Sequence, residues 1–376
     1  MNKTAAVAAL VLLAAFASGC TTMPGREALE STTAILPAAR EPGVPRDGRA
    51  EFRRLFCDIA RRDGVAAADD PDCTEWLWRL ADEPPAPAQI ELASAPGRLR
   101  WFIVTGALGD CFGEDSLPFR EGIRRLAMQG RSVETVLVSG RSGTQHNARQ
   151  IAGAIRAAGL APSARLAVMG YSKGAVDILQ LLADEPALAA RVAAVVSLSG
   201  PITGSSLADR GAWIHDHLLA NTFADRCDPG DGGMVDSMRT EVRLRWLADH
   251  PPPEHVRYFS LAAFPTWDRM ARGLKTGWRL LAAEDVRNDG QVTVGKAMLP
   301  GSTLLGYANS DHWGLTLTVE NALPYIAGRQ DDRQYPQAQL LEAIIRYVEG
   351  AVDGPGGSRG ASGSPDVSAS GGSSGS

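Results

Sequence analysis

Residues 170–174 read Gly-Tyr-Ser-Lys-Gly, between the apolar run Arg165-Leu166-Ala167-Val168-Met169 and the helix-forming run Ala175-Val176-Asp177-Ile178-Leu179-Gln180-Leu181-Leu182. A strand that passes straight into a helix through Gly-x-Ser-x-Gly constrains this chain more than any other feature. The turn brings strand and helix almost into contact, and only residues without a Cβ leave room for that approach. The serine at the apex is then held in a strained backbone geometry with its hydroxyl turned outward. A Gly/Ser surface loop produces the same pentapeptide by chance, but it is not preceded by an apolar strand and followed at once by an amphipathic helix. That context makes Ser172 the candidate nucleophile.

With 376 residues, 44% hydrophobic and 22% charged, the chain can build one large α/β domain with appendages, and collagen, coiled coil and wholesale disorder are excluded. A formal net charge of −5 gives no basic footprint, so nucleic acid is not an expected partner. Residues 1–19 read as a signal peptide, with Lys3 as its positive end, an apolar stretch over 5–16, and Ala17-Ser18-Gly19-Cys20 as a processing site that resembles a bacterial lipobox. Cys20 is thereby expected to carry lipid and to anchor the protein to a membrane of the bacterial cell envelope. Export makes disulfides plausible among Cys57, Cys73, Cys111 and Cys227. The favoured pairs are Cys57 with Cys73 and Cys111 with Cys227. No Cys-x-x-Cys or His-Glu-x-x-His spacing supports a metal site.

Residues 20–48, rich in Ala, Pro and Gly, read as a flexible tether. Over 49–82 the spacing of Phe52, Leu55, Phe56 and Ile59, repeated by Trp76, Leu77 and Leu80, predicts a helical hairpin as an N-terminal appendage. From 97 to 350 strands at 99–104, 133–138, 165–169, 192–198, 256–262 and 302–308 alternate with helical stretches such as 117–128, 148–158 and 338–348. That alternation predicts an α/β fold with a mostly parallel central sheet and helices on both faces. Residues 205–255 interrupt it and read as a cap over the active site, and the Gly/Ser tail at 353–376 is expected to be disordered.

A serine hydroxyl is a poor nucleophile at neutral pH and needs a base, which in turn needs an orienting acid. Of the six histidines, His312 follows a late strand, in Asn309-Ser310-Asp311-His312-Trp313-Gly314. Asp289, on the turn Asn288-Asp289-Gly290, is the preferred acid, while Asp268 lies nearer the end of the preceding strand and Asp311 is the least favoured because sequence neighbours point apart. An oxyanion needs two backbone N–H donors. Lys173 supplies one, and Ala107 or Leu108 in the loop Thr105-Gly106-Ala107-Leu108-Gly109 the other. That loop lacks Gly-x-Gly-x-x-Gly spacing and a Walker lysine, so it is not read as a nucleotide site.

Four pieces of the chain together resemble the secreted bacterial lipases and esterases of the α/β-hydrolase fold: Val104-Thr105-Gly106, the elbow at 170–174, Ser199-Gly200-Pro201-Ile202-Thr203-Gly204-Ser205, and Arg257-Tyr258-Phe259-Ser260 leading to Asn288-Asp289-Gly290-Gln291-Val292. The resemblance covers residues 99–320. It implies a Ser172–His312–Asp289 triad, oxyanion donors at Ala107 and Lys173, a small-molecule or lipid ester as substrate, and no cofactor. It is the main ground for preferring Asp289 to Asp268. Two positions depart from the family: Thr105-Gly106 replaces its usual His-Gly, and Gly314 stands where many of these lipases carry a calcium-binding Asp, so no calcium site is expected. A thioesterase, amidase or phospholipase would use the same triad, and an α/β-hydrolase body can also serve as a non-catalytic binding protein.

Overall fold

The structure, a computed structural model, describes residues 22–37, 47–67, 69–85, 99–111, 113, 117–211, 228–318, 324–331 and 333–353. The signal peptide with Cys20, the centre of the expected cap including Cys227, and the tail from 354 on lie outside the described residues.

Helix α1 (Arg26–Glu30) and helix α2 (Arg49–Arg62) precede strand β1 (Leu99–Val104). Then follow α3 (Arg120–Met128), β2 (Val133–Val136), α4 (Thr144–Ala157), β3 (Arg165–Tyr171), α5 (Lys173–Asp184) and β4 (Val192–Leu198). The chain continues with α6 (Thr240–Asp249), β5 (Arg257–Ala263), α7 (Lys275–Leu281), β6 (Thr303–Ala308) and α8 (Gln337–Asp353). The six strands form one parallel sheet in the order β2-β1-β3-β4-β5-β6. This is the α/β-hydrolase architecture expected from the alternation.

Side chains alternate across the sheet with the period of two that extended backbone imposes. Trp101, Ile103, Ala167 and Met169 face a core shared with α2, α3 and α8, and Phe102, Val104, Leu166 and Val168 face one shared with α4 and α5. Both faces are covered, so β3 and β4 can be almost wholly apolar. Because β2 and β3 flank β1 on opposite sides, the order reverses between β1 and β3, and the turn at Ser172 follows the carboxyl end of β3 at that switch point.

The N-terminal region departs from expectation in two places. Only the first half of the 49–82 hairpin is helical. Arg53 donates to the carbonyls of Asp72 (2.9 Å), Leu77 (2.8 Å) and Trp78 (2.7 Å), groups that a second helix would use internally. The Cys57–Cys73 disulfide, with Cα atoms 5.7 Å apart, fixes the segment to α2. Leu77 then bridges Ala308 in antiparallel fashion and the Trp78 N–H reaches the Tyr307 carbonyl at 2.9 Å, adding an edge segment beside β6. The expected tether is also packed over 22–37: Leu29 is buried, and Ile35 exchanges two 2.9 Å hydrogen bonds with the Tyr307 hydroxyl.

Of the expected cap, 205–211 and 228–255 are described. Asp231 accepts from the Gly143 N–H at 2.7 Å, placing that turn against the loop after β2. Helix α6 does not lie over the site: Trp246 and Leu247 pack with the α4 and α5 side of the core. No helix among the described residues is long and apolar enough to cross a membrane.

Candidate active site

β3 ends at Tyr171, α5 begins at Lys173, and Ser172 between them has φ 53° and ψ −128°. A non-glycine residue held there costs about 1–3 kcal/mol and persists only where its surroundings enforce it. The Ser172 N–H donates to the Leu198 carbonyl at 2.9 Å, and its own carbonyl accepts from Ala175 N–H at 3.0 Å. The flanking glycines are required by space: a Cβ on Gly170 would lie 2.4 Å from the backbone of Ala175, and one on Gly174 2.6 Å from the Val104 and Thr105 carbonyl oxygens. Gly106 belongs to the same contact, since its Cβ would come within 2.9 Å of the Ser172 Cβ.

His312 reaches the serine from the loop after β6. Its Nε2 lies 2.8 Å from Ser172 Oγ and its Nδ1 2.7 Å from Asp289 Oδ2. All three residues are buried. Asp289 Oδ1 accepts the Gln291 and Val292 N–H groups at 2.9 and 2.8 Å, so both carboxylate oxygens are engaged and the ring faces a fixed partner. The two segments are also joined through their backbones, His312 N–H to Asp289 carbonyl at 3.0 Å.

The competing carboxylates are placed elsewhere. Asp268 is exposed, and its backbone carbonyl, not its side chain, receives the N–H groups of Gln330 and Asp331. Asp311 turns away from its neighbour: it accepts from Ala271 and Gly314 N–H groups at 2.7 Å each and pairs with Arg329 at 2.9 Å.

Of the expected oxyanion donors, Lys173 occupies the first position of α5, where N–H groups have no carbonyl one turn earlier. In the loop after β1 the two candidate donors differ in their partners. The Leu108 N–H is engaged by the Gly140 carbonyl at 3.1 Å, which leaves Ala107. Thr105, in the place of the family's usual His, accepts the Val138 N–H through Oγ1 at 3.2 Å.

Residues absent from the sequence reading complete the site. The Tyr171 hydroxyl donates to the His312 carbonyl at 2.9 Å, and burial, then Asp289 and Asp311, raise its pKa well above the ordinary phenol range, so it stays a donor. Asn309 is 1% exposed and joins three segments. Its Oδ1 accepts the Thr266 N–H, its Nδ2 donates to the Glu75 carbonyl, both at 2.9 Å, and its N–H donates to the Trp76 carbonyl at 2.8 Å. Tyr171 stands inside the elbow motif and Asn309 three residues before His312, so both were within reach of a closer reading. The Glu75 and Trp76 contacts carry no sequence signal. Cys111 is disulfide-bonded, to a partner outside the described residues. Among the described residues no group of three or more His, Cys, Asp or Glu side chains is placed to share a metal ion.

Sheet order, elbow and the Ser172–His312–Asp289 arrangement define an α/β-hydrolase. No family model matches the chain, and no curated protein does. Among solved structures, the metagenomic carboxyl esterase MGS0156 is 34% identical, with a TM-score of 0.73 over 86% of this chain and 98% of that one. The chain belongs to the family of that carboxyl esterase. Fainter likenesses are the mature lipase BlEst2 of Bacillus licheniformis, at 23% identity over 60% of this chain and 89% of that one with a TM-score of 0.45, and EstA of Clostridium botulinum, at 14% over 77% and 98% with a TM-score of 0.46.

Proposed function

We propose that the protein hydrolyses carboxylic esters through a covalent acyl-enzyme on Ser172. The observation that carries this reading is the unbroken chain from Ser172 Oγ to His312 Nε2 at 2.8 Å and from His312 Nδ1 to Asp289 at 2.7 Å, set on a strained elbow. With the Nδ1–H donating to Asp289, Nε2 carries a lone pair toward the serine hydroxyl. Ser172 Oγ attacks the ester carbonyl carbon as its proton passes to Nε2. The oxyanion that forms faces the N–H groups of Lys173 and Ala107. Collapse of this intermediate breaks the bond to the alcohol oxygen, which takes the proton from His312. Water, deprotonated by the same imidazole, then releases the acid and restores the serine. No step draws on a cofactor.

The lipoprotein-type leader of residues 1–20 extends the reading to an enzyme held at the bacterial cell envelope through lipid on Cys20. Mass spectrometry of the mature N-terminus tests that extension.

For the chemistry, hydrolysis of p-nitrophenyl butyrate and labelling by a fluorophosphonate are measured on purified protein. Ser172→Ala is expected to abolish labelling and to lower kcat/KM by about 10³-fold or more. Asp289→Asn should cost about 10³–10⁴-fold, because the imidazole then presents the wrong tautomer, while Asp268→Asn stays within about twofold. Undiminished hydrolysis by folded Ser172→Ala overturns the reading.

A further inference from the structure

Directly behind the elbow lies an ion pair that the proposed reaction does not use. Lys173 and Asp177 are both 0% exposed, and Lys173 Nζ donates to Asp177 Oδ1 at 2.6 Å along the first turn of α5. The other carboxylate oxygen, Oδ2, accepts from Asn147 Nδ2 of α4 at 2.8 Å. Arg243 of α6, also buried, lies within the field of Asp177, so the cluster holds two cations and one carboxylate.

Stability does not account for this arrangement. A cation in the first turn of a helix opposes the helix dipole. An ion pair taken wholly out of water is often no more stabilising than apolar side chains of the same volume. What the pair does is geometric. It ties the first residue of α5 to the residue one turn along, and Asn147 ties that turn to the neighbouring helix. The backbone N–H of Lys173 is the atom whose direction is fixed as a result.

We infer that Lys173, Asp177 and Asn147 form a positioning unit, whose buried side chains aim the Lys173 N–H at the oxyanion of the reaction. The inference rests on the reading of Ser172 as nucleophile. The three side chains act through the backbone donor, and the Lys173 ammonium is internal rather than part of a substrate-facing surface. Because an oxyanion exists only at the transition state and in the intermediate, their loss lowers kcat and leaves KM nearly unchanged. Burial pushes the Asp177 carboxyl up, while Lys173, Asn147 and Arg243 pull it back down.

The test is the paired variant Lys173→Met/Asp177→Leu, which keeps every backbone N–H and removes both charges. Near-UV circular dichroism, kcat and KM for p-nitrophenyl butyrate, and the rate of fluorophosphonate labelling are measured beside the wild type. The expected result is a native spectrum, kcat and labelling rate lowered about 10- to 100-fold, and KM within about twofold. A folded double variant with wild-type kcat overturns the inference. Should the double variant not fold, Asn147→Ala decides: a severalfold fall in kcat at constant KM upholds the positioning unit, and an unchanged kcat overturns it. A wild type that does not label at all overturns the reading of Ser172 itself, an outcome distinct from labelled wild type with a fully active variant.

Discussion

The two sides of the candidate active site meet within 2.8 Å, at Ser172 and His312, yet they are held in place by opposite means. The elbow is local: β3, the turn and α5 are consecutive, and its geometry follows from Gly170 and Gly174 having no Cβ to collide with the backbone nearby. The histidine loop has no such internal rule. It is clamped from outside, by Asn309 bonded to Glu75, Trp76 and Thr266, by Tyr171 on the His312 carbonyl, and by Arg329 and Ala271 on Asp311. A candidate site whose serine is set by steric exclusion and whose histidine is set by distant hydrogen bonds has two different ways to fail.

Gly174→Ala strikes the local side hardest. The new methyl would lie 2.6 Å from two backbone oxygens, and the expected loss is roughly 3 kcal/mol or more, read as a melting temperature lowered by about 4 °C together with loss of labelling. Asn309→Ala attacks the other side. It strands the Thr266 N–H and the Glu75 carbonyl, and an expected fall in kcat of about 10-fold with elbow and fold intact separates base placement from nucleophile placement. If kcat is unchanged while stability falls, Asn309 serves the fold alone. Opening the bridge between Cys57 and Cys73, 16 residues apart, removes a constraint worth about 3 kcal/mol in the unfolded chain. Cys57→Ala/Cys73→Ala should lower the unfolding midpoint in urea and, while folded, label within about threefold of the wild-type rate.

The smallest effect belongs to acid. Arg333, and next to it Arg269, hold the Asp331 carboxyl down from 3.8 to about 2. A depressed carboxylate contributes stability above its unfolded value and loses it as pH falls through its folded one, so this contribution fades between pH of about 4 and 2. Arg269 also stacks on Trp76 and bonds Glu75, which assigns the loss to the histidine side. In Asp331→Asn the acid limb of a stability-against-pH curve should be shallower over that interval.

The same contrast explains what was legible in the sequence. The elbow, the six strands and His312 could be read because each depends on neighbours in the chain or on continuous burial. Asp289 was preferred to Asp268 through resemblance; it lies 2.7 Å from His312 Nδ1, while Asp268 is exposed. Residues 70–82 were misread because Trp76, Leu77 and Leu80 repeat a helical spacing, while the segment is pulled straight by Arg53, the disulfide and the open edge of β6. The stretch at 22–37 was read as a tether from its composition, yet Tyr307, some 270 residues away, recruits it at Ile35. Neither effect leaves a local trace.

The edge segment beside β6 also bears on how the molecule is made. Glu75 and Asn309 are 234 positions apart, so the contact that steadies the His312 loop joins an early part of the chain to a very late one. In chain order β1 to β4 and the elbow all precede β6, so the N-terminal segment finds its partner edge only once that late strand is present. A product truncated just before residue 309 carries the elbow sequence without His312 or the core helix α8.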